Sequence, residues 1–451
     1  MTAPGPRPDT QAPSPVPSGL VRSMGVPTLV FFGLAYMVPM TVFTTYGIVN
    51  ETTGGFLTSA YVITLAAMLF TACSYAFLGR RIRTAGSAYA YARDGLGGGV
   101  GFLTGWTVMI DYILLPMLNY LLIGLYLAEQ FPQVPAWVFS MSALLLVTAL
   151  NIVGVTVVKG ANVVLVALQI IFFLVFFVFA ARAFDPDTSP LDPFLRADFD
   201  LSAVVAGSAI LCLSFLGFDA ISTMAEEAKR PTRSIPIAVI VTTLTGGLIF
   251  IAISWFAHMA SPEVVTGDGA DVAALQMLAN LGGDVLVALF LAAYVTGAFG
   301  SALASQASVS RILFAMGRDA VLPRRIFGAL SQRFRSPVGA ILVVSVISLS
   351  ALFADVDFVA SIVSFGALTA FSVVNVSVVS VFLVKERRRG VSAILAYGGV
   401  PFVGFLLTAW LWTSLTPLTV WLGIAWIVVG LAHLTWITRG FRRSVPRMHL
   451  E

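Results

Sequence analysis

Long apolar stretches alternate with short polar segments along nearly the whole chain. Each stretch approaches or exceeds the roughly 20 residues that a helix needs to cross the hydrocarbon core of a bilayer. The predicted spans lie near 27–49, 56–78, 100–127, 134–153, 160–181, 203–225, 236–258, 284–310, 337–354, 358–384, 392–414 and 416–437. The pattern therefore predicts an all-α polytopic membrane protein with about twelve transmembrane helices.

Basic residues gather in alternate polar segments. If both ends of the chain are cytoplasmic, the inner segments hold 24 of the 26 lysines and arginines, and the outer segments keep only Arg182 and Arg196. This positive-inside bias predicts a multi-pass protein of the plasma (inner) membrane with cytoplasmic N and C termini. The net charge of +4 thus reflects topology and does not indicate nucleic-acid binding.

Composition narrows the functional class. The chain is 58% hydrophobic and 11% charged, whereas a soluble domain carries about 25% charged residues. No phosphate-binding glycine loop or nucleophile elbow occurs in the sequence. Cys73 and Cys212 fall inside predicted spans, and His258, His433 and His449 lie far apart. We therefore expect no enzymatic activity, no cofactor and no metal site.

Polar tails flank the apolar region. Residues 1–22 are rich in proline and are predicted to form a disordered cytoplasmic tail. Residues 23–437 form the predicted transmembrane domain, and residues 438–451 form a basic cytoplasmic tail.

Two of the predicted spans are interrupted. The first contains "GLAYMVPMTVFTTYGIV", with Pro39 near its middle. Proline removes a backbone donor and clashes with the preceding turn, so a break is predicted, with a packing kink as the alternative. The sixth span, "LCLSFLGFDAISTMAEEAKRP", has Ser214, Gly217 and Asp219 at its middle. Interrupted spans at corresponding places in two five-helix halves indicate a midplane site in an inverted-repeat transporter.

Two acidic residues fall at membrane depth, Asp111 in the third span and Asp219 in the sixth. A carboxylate there is costly unless it is paired, hydrated or protonated, and no lysine or arginine lies in the interior of a predicted span. Asp219 has an alternative role as a helix cap, and Asp111 has one as a solvated residue near a helix end. Otherwise the pair suits a cationic substrate, a proton, or both.

Six motifs carry a family resemblance. They are "GLAYMVPMTVFTTYGIV", "AGSAYAYA", "GWTVMIDYILLPM", "SFLGFDAISTMAEEAKRP", "SQASVSRILFAMGRDAVLP" and "SFGALTAFSVVNVSV". By these motifs the chain resembles the amino acid–polyamine–organocation (APC) superfamily, and most closely its bacterial putrescine importers. The resemblance implies a 5+5 inverted-repeat (LeuT-like) core with broken helices 1 and 6. Repeat one would span about 25–182, repeat two about 200–385, and two extra helices about 391–437.

The resemblance also implies a set of substrate-binding residues. They are Tyr36, Met37, Pro39 and Thr41 at the first break, Asp111 and Tyr112 on span three, and Phe215, Gly217, Phe218 and Asp219 at the second break. Amino-acid carriers of the superfamily usually have a glycine-rich motif where this chain has Met37, Val38 and Pro39. That bulkier break fits an amine without an α-carboxylate. The aromatic residues suit the methylene stem of a diamine, and ordinary helix packing is the alternative for each.

Three more polar residues are candidates for gating or proton coupling. Glu226 and Glu227 end the sixth span, where surface ion pairs with Lys229 and Arg230 are the alternative role. Proton-coupled relatives often place a lysine in span five, and this chain has Gln169 there. The sequence therefore does not identify the residue that couples transport to protons.

These observations predict a secondary active transporter that imports putrescine or a similar small polyamine by alternating access, driven by protons and the membrane potential. An amino-acid or monoamine permease of the same superfamily is the alternative, and a non-transporting membrane protein is a third possibility. Membrane lipids are further expected partners. The segment "AGSAYAYARDGLG" is predicted to form a short re-entrant or interfacial helix on the inner side, and the basic loop 311–335 to contact anionic lipid.

Overall fold

The structure is a computed structural model that describes residues 22–82, 87–264, 266–267, 273–318, 322–331, 333–334, 336–354 and 356–440. The predicted proline-rich tail, except for residue 22, and most of the predicted basic tail lie outside these residues. The α-helices are α1 (Val26–Met37), α2 (Thr41–Thr53), α3 (Leu57–Gly79), α4 (Ser87–Leu96), α5 (Gly98–Gln130), α6 (Ala136–Val153), α7 (Val155–Arg182), α8 (Leu201–Leu211), α9 (Pro231–Ala260), α10 (Ala273–Arg318), α11 (Arg324–Phe327), α12 (Val338–Ser348), α13 (Val356–Val379), α14 (Val391–Ile394), α15 (Val400–Thr413) and α16 (Pro417–Ile437). Short 3-10 segments occur at Cys212–Phe215, Ala220–Glu227 and Leu349–Phe353, and π-helical segments at Ser380–Lys385 and Leu395–Gly399.

The helices match the predicted spans in position. Within the described residues, nine helical stretches are long and apolar enough to cross a membrane, and α1 with α2 makes a tenth if the pair, bent by 47°, is one span. Shorter apolar helices at Ala167–Arg182 and Val338–Ser348 coincide with the fifth and ninth predicted spans. The all-α polytopic architecture is therefore confirmed. The count of twelve, the inverted repeat and the domain limits stay predictions.

The central helix of the fold is α5, which packs against α4, α6, α10, α13 and α16. Its approach to α13 depends on Gly366, where a Cβ atom would lie 3.1 Å from Asp111 Cβ and 3.1 Å from Thr107 O. Close packing on this side places Asp111 among helices and away from lipid, with 1% of its surface exposed.

The last helix is fastened to α5 by a reciprocal tryptophan pair. Trp106 Nε1 donates to the carbonyl of Trp426 at 3.0 Å, and Trp426 Nε1 donates to the carbonyl of Trp106 at 2.8 Å. The two rings stack with their centroids 5.0 Å apart. Gly430 permits this approach, because a Cβ atom there would lie 2.4 Å from Trp106 Cδ1. Helix α16 thus supports the half of α5 that leads to Asp111.

The sixth span begins with a capped helix. The carboxylate of Asp200 accepts hydrogen bonds from the backbone N–H of Ser202 at 2.8 Å and from its hydroxyl at 2.7 Å. These bonds hold the pKa of Asp200 below its ordinary value. From this cap, α8 and the 3-10 turn Cys212–Phe215 carry the chain inward to the second interruption.

Candidate functional site

The first span breaks between α1 and α2. Helix α1 ends at Met37, Val38 adopts a φ of 45°, and α2 begins at Thr41. A positive φ is unusual for a β-branched residue, and the following Pro39 disfavours helical conformation at Val38. Two local bonds hold the break: Val38 N–H donates to Leu34 O at 3.1 Å, and Thr41 N–H donates to Val38 O at 2.9 Å. The chain is therefore unwound at Pro39, and the helix does more than bend.

The sixth span breaks at residues 216–219. Gly217 has a φ of 131°, and its N–H donates to Asp219 Oδ1 at 3.2 Å. Asp219 occupies the N-cap position of the 3-10 helix Ala220–Glu227, but its side chain makes no capping hydrogen bond with that helix. The carboxylate instead faces back into the break.

The two breaks touch each other. A Cβ atom at Gly217 would lie 2.9 Å from Gly33 O, 3.0 Å from Met37 N and 3.0 Å from Tyr36 Cδ1. Only glycine combines a positive φ with so close a backbone approach at little steric cost. The last turn of α1 and the unwound part of the sixth span therefore form one continuous surface.

A hydroxyl from α5 holds Asp219. Tyr112 Oη donates to Asp219 Oδ2 at 2.6 Å, and both residues are buried. Hydrogen bonds to an ionised carboxylate are roughly twice as strong as neutral ones. With the Gly217 N–H on the other oxygen, each oxygen of Asp219 accepts a hydrogen bond.

Asp111 lies beside this pair and is also buried. Its Oδ1 atom accepts no hydrogen bond from any described residue, and Asp111 directly precedes Tyr112, whose hydroxyl is bonded to Asp219. The buried side chain of Tyr36 lies on the same side, with its ring centroid 6.4 Å from that of Tyr112. Among the described side chains, no lysine, arginine or histidine forms an ion pair with either aspartate. Two adjacent buried carboxylates of this kind require a proton or a cation to offset their cost.

The two predicted phenylalanines differ in their surroundings. The ring of Phe218 packs between Tyr75 and Phe371, with centroids 5.6 Å and 5.1 Å away. Phe218 directly precedes Asp219, so its ring belongs to the aromatic wall beside that carboxylate. Phe215 packs against Phe250 of α9 at 5.1 Å, which is a helix-packing contact.

The other predicted residues of the first break have separate roles. The sulfur of Met37 faces α9, because a Cβ atom at Gly246 of that helix would lie 2.3 Å from the sulfur. Pro39 sets the unwound conformation. Thr41 begins α2, and its buried hydroxyl has no hydrogen-bond partner in the described part of the chain.

Sequence reasoning missed Ser87 at the start of α4. Its Oγ lies 3.4 Å from Tyr112 Oη and 3.5 Å from Asp219 O. The segment predicted to be re-entrant or interfacial does form a helix, and that helix starts at the acidic pair. The motif "AGSAYAYA" was the available signal, because its small residues allow such an approach.

A polar chain that was also missed supports the end of α1. Ser301 Oγ donates to the carbonyl of Tyr36 at 2.8 Å, and Asn119 Nδ2 donates to Ser301 Oγ at 3.0 Å. Helices leave their last carbonyl groups without intrahelical partners, so α10 and α5 compensate for the break. Polar residues within long apolar spans were the signal.

The gate candidate Glu227 pairs with a partner from α10. Its Oε1 lies 2.9 Å from Arg311 Nε, and both side chains are largely buried. The carbonyl of Glu227 also accepts the N–H groups of Ser23 and Met24 at 2.9 Å each. This end of the sixth span is thus closed by an ion pair and by the segment before α1. Glu226, the neighbouring candidate, is likewise not a free carboxylate.

Gln169 lies close to the first break. A Cβ atom at Gly297 would be 3.1 Å from Gln169 Cδ and 3.0 Å from Val38 Cγ1. The side chain is buried. Gln169 therefore lies near the unwound backbone of the first break, and its role in coupling stays a prediction.

Two helix breaks that meet beside buried carboxylates are typical of a secondary transporter. The family model described as "Amino acid permease" matches residues 29–447. The chain belongs to this amino acid permease (APC) family of membrane transporters, which confirms the resemblance inferred from its motifs.

Particular relatives give a finer comparison. The low-affinity putrescine importer PlaP of Escherichia coli is 35% identical over 435 residues, covering 95% of this chain and 96% of the relative. The branched-chain amino acid permease BcaP of Bacillus subtilis is 25% identical, covering 91% and 92%. The methylthioribose transporter of the same species is 26% identical with the same coverage. Relatives of this chain therefore carry different solutes.

Proposed function

We propose that this protein is a secondary active transporter that imports putrescine or a similar small polyamine by alternating access. The observation that carries the proposal is the buried pair Asp111 and Asp219, with no cation from the described residues bound to it. The 35% identity to a putrescine importer supports the same substrate class.

A diamine matches this charge pattern. Each of its two ammonium groups can approach one carboxylate, and binding then replaces two uncompensated charges by two charge pairs. Its methylene stem can lie against Tyr36, Tyr112 and Phe218, which also offer cation–π attraction. A zwitterion would supply only one ammonium group for the two carboxylates and would add a carboxylate of its own.

The state of the backbone donors argues against an α-carboxylate. Gly217 N–H is already bonded to Asp219, and Val38 N–H is bonded to Leu34 O. These are donors that the two breaks would otherwise offer to an anionic group. The amino-acid permease remains the alternative because a 25% identical relative carries branched-chain amino acids.

Two driving forces are proposed. A membrane potential contributes about 2.3 kcal/mol per elementary charge per 100 mV, so it favours entry of a dication strongly. A proton shared between the two carboxylates is the proposed second contribution, with Gln169, Glu226 and Glu227 as candidates for coupling or gating. We place the protein in the plasma membrane with both termini in the cytoplasm.

The test is uptake of labelled putrescine by proteoliposomes, with the proton gradient and the potential imposed separately. Asp111→Asn and Asp219→Asn should each abolish saturable uptake. Asp187→Asn, which removes an exposed carboxylate of an outer segment, is the matched control and should leave it unchanged. Uptake blocked by diamines but not by amino acids supports the proposal. Competition by amino acids alone would assign the protein to the alternative class, the amino-acid permeases. If the uptake rate does not change when a pH gradient is imposed, transport is not coupled to protons.

A further inference from the structure

A short basic linker joins the tenth and eleventh predicted spans. Residues 385–390, "KERRRG", hold four cationic side chains and one carboxylate. All six residues are exposed. The positive-inside pattern places this linker on the cytoplasmic face.

The linker is held in a defined conformation. The guanidinium group of Arg388 lies 5.0 Å from the ring centroid of Phe382 and 5.3 Å from that of Tyr397. Those two rings stack on each other at 4.3 Å. Arg388 Nε also donates to Glu386 Oε2 at 2.7 Å. Arg388 is therefore held in place by aromatic and ionic contacts.

The two carboxylates near the linker, Glu386 and Asp94, already form ion pairs. Glu386 pairs with Arg81 at the end of α3 as well as with Arg388. Arg81 in turn pairs with Asp94 at 3.3 Å, and Lys385 Nζ donates to the carbonyl of Asp94. Arg387 and Arg389 form no ion pair with any residue that the structure describes. Arg387 and Arg389 are thus two exposed positive charges with no anionic partner in the described part of the chain.

The unpaired charges adjoin exposed apolar side chains. On one side of the linker Val384 is 66% exposed, and on the other Val391 is 77% and Leu395 is 64% exposed. Cations bordered by exposed aliphatic groups at the end of spanning helices fit a molecule with an anionic head and apolar chains.

We propose that the linker binds an anionic phospholipid. Arg387 and Arg389 bind the phosphodiester headgroup, since arginine forms bidentate hydrogen bonds with phosphate oxygens. The acyl chains lie along Val391 and Leu395. Because Glu386 joins the linker to α3, the lipid fixes the position of α3 relative to the end of the tenth span.

The test is native mass spectrometry of the detergent-purified full chain with phosphatidylglycerol and phosphatidylcholine. The wild type should retain phosphatidylglycerol in preference. The double variant Arg387→Gln, Arg389→Gln should bind it roughly thirty-fold more weakly, since each basic residue near an anionic surface contributes about fivefold. The variant Arg387→Lys, Arg389→Lys keeps the charge and should retain most of the preference. Tyr397→Leu, which removes part of the aromatic contact with Arg388, should weaken it as well.

Competition with inorganic phosphate distinguishes a site for a lipid headgroup from a site for a free phosphate ion. If excess phosphate leaves the bound phosphatidylglycerol in place, the site recognises the lipid. Displacement by phosphate would reassign the linker to a free anion and overturn the proposal. Equal retention of phosphatidylglycerol by the wild type and the glutamine variant would also overturn it, because the charges would then serve topology alone.

Discussion

The hydroxyl of Tyr112 donates a 2.6 Å hydrogen bond to Asp219, and this bond joins the third span to the break in the sixth. Asp111 directly precedes Tyr112 in α5. A single turn of one helix therefore supplies one carboxylate and the donor that orients the other. The geometry of the acidic pair depends on that contact between two helices.

Tyr112→Phe should impair transport with little change in packing. The substitution keeps the ring and removes a hydrogen bond to a charged group, which is worth about 1.5–3 kcal/mol. We expect the KM for putrescine to rise by about tenfold or more. Tyr120→Phe is the matched control, because Tyr120 lies on the same helix and its buried hydroxyl has no partner among the described residues. Equal uptake kinetics for the two variants would show that the Tyr112 hydroxyl does not hold the site.

Asp111→Asn should stabilise the protein while abolishing uptake. Removing one of two neighbouring buried charges relieves a cost of at least about 1–3 kcal/mol. The Tm in detergent should rise without substrate. Putrescine should raise the Tm of the wild type, since a ligand at a hundred times its Kd stabilises by about 2.7 kcal/mol, but not that of the variant. Asp187→Asn should match the wild type in both respects, and a lower Tm for Asp111→Asn would contradict the model of charge repulsion.

Gly217→Ala should disrupt the contact between the two breaks. The new Cβ atom would lie 2.9 Å from Gly33 O at a backbone φ of 131°. Strain and overpacking of this kind cost about 1–3 kcal/mol. We expect a lower Tm and little uptake. Gly99→Ala is the control, because a Cβ atom there meets nothing within 4 Å; wild-type uptake by Gly217→Ala would show that the breaks need not touch.

Arg311→Gln should destabilise the C-terminal end of the sixth span, where Arg311 pairs with Glu227. It leaves Glu227 buried without its ionic partner, a change that costs about 3–5 kcal/mol. The double variant Glu227→Gln, Arg311→Gln should recover much of that loss, because no uncompensated charge remains. A double-mutant cycle on unfolding free energy measures this coupling. Strictly additive effects would mean that the two side chains do not interact.

The breaks could be located from sequence because their causes are local. Pro39 cannot donate a backbone hydrogen bond, and Gly217 takes a φ that other residues avoid. The two aspartates were recognisable because charged residues are rare at membrane depth. Features that depend on the chemistry of a single residue, such as the helix breaks and the buried aspartates, could therefore be predicted from the sequence.

Residues that act through long-range contacts were not visible. Ser87 reaches Tyr112 and Asp219 only when α4 packs inward, and Arg311 meets Glu227 across a separation of 84 residues. A Lys229 or Arg230 partner for Glu227 was the natural inference from sequence proximity. Such pairs form only through the packing of helices that are distant in sequence. The apolar pattern of a membrane protein indicates which faces contact lipid, but it does not indicate which helices pack together.

Gln169→Lys tests whether span five controls the charge of the site. Gln169 lies beside the first break, where Gly297 brings it near Val38. A fixed ammonium group there would repel a diamine by about 2 kcal/mol per unit charge at roughly 8 Å and an effective dielectric constant of 20. We expect putrescine uptake to fall by at least about tenfold. Gln169→Met keeps the length without the charge and should have a much smaller effect.

The pH dependence of this lysine variant distinguishes charge from shape. Raising the pH removes the ammonium proton, so uptake by Gln169→Lys should recover as the solution becomes more alkaline, while Gln169→Met should follow the wild type. The measurement is the initial rate of putrescine uptake across a pH series at a fixed membrane potential. A lysine variant that transports like the wild type at neutral pH would place Gln169 outside the electrostatic reach of the carboxylates. The coupling proton would then have to be sought at Asp111, Asp219, Glu226 or Glu227.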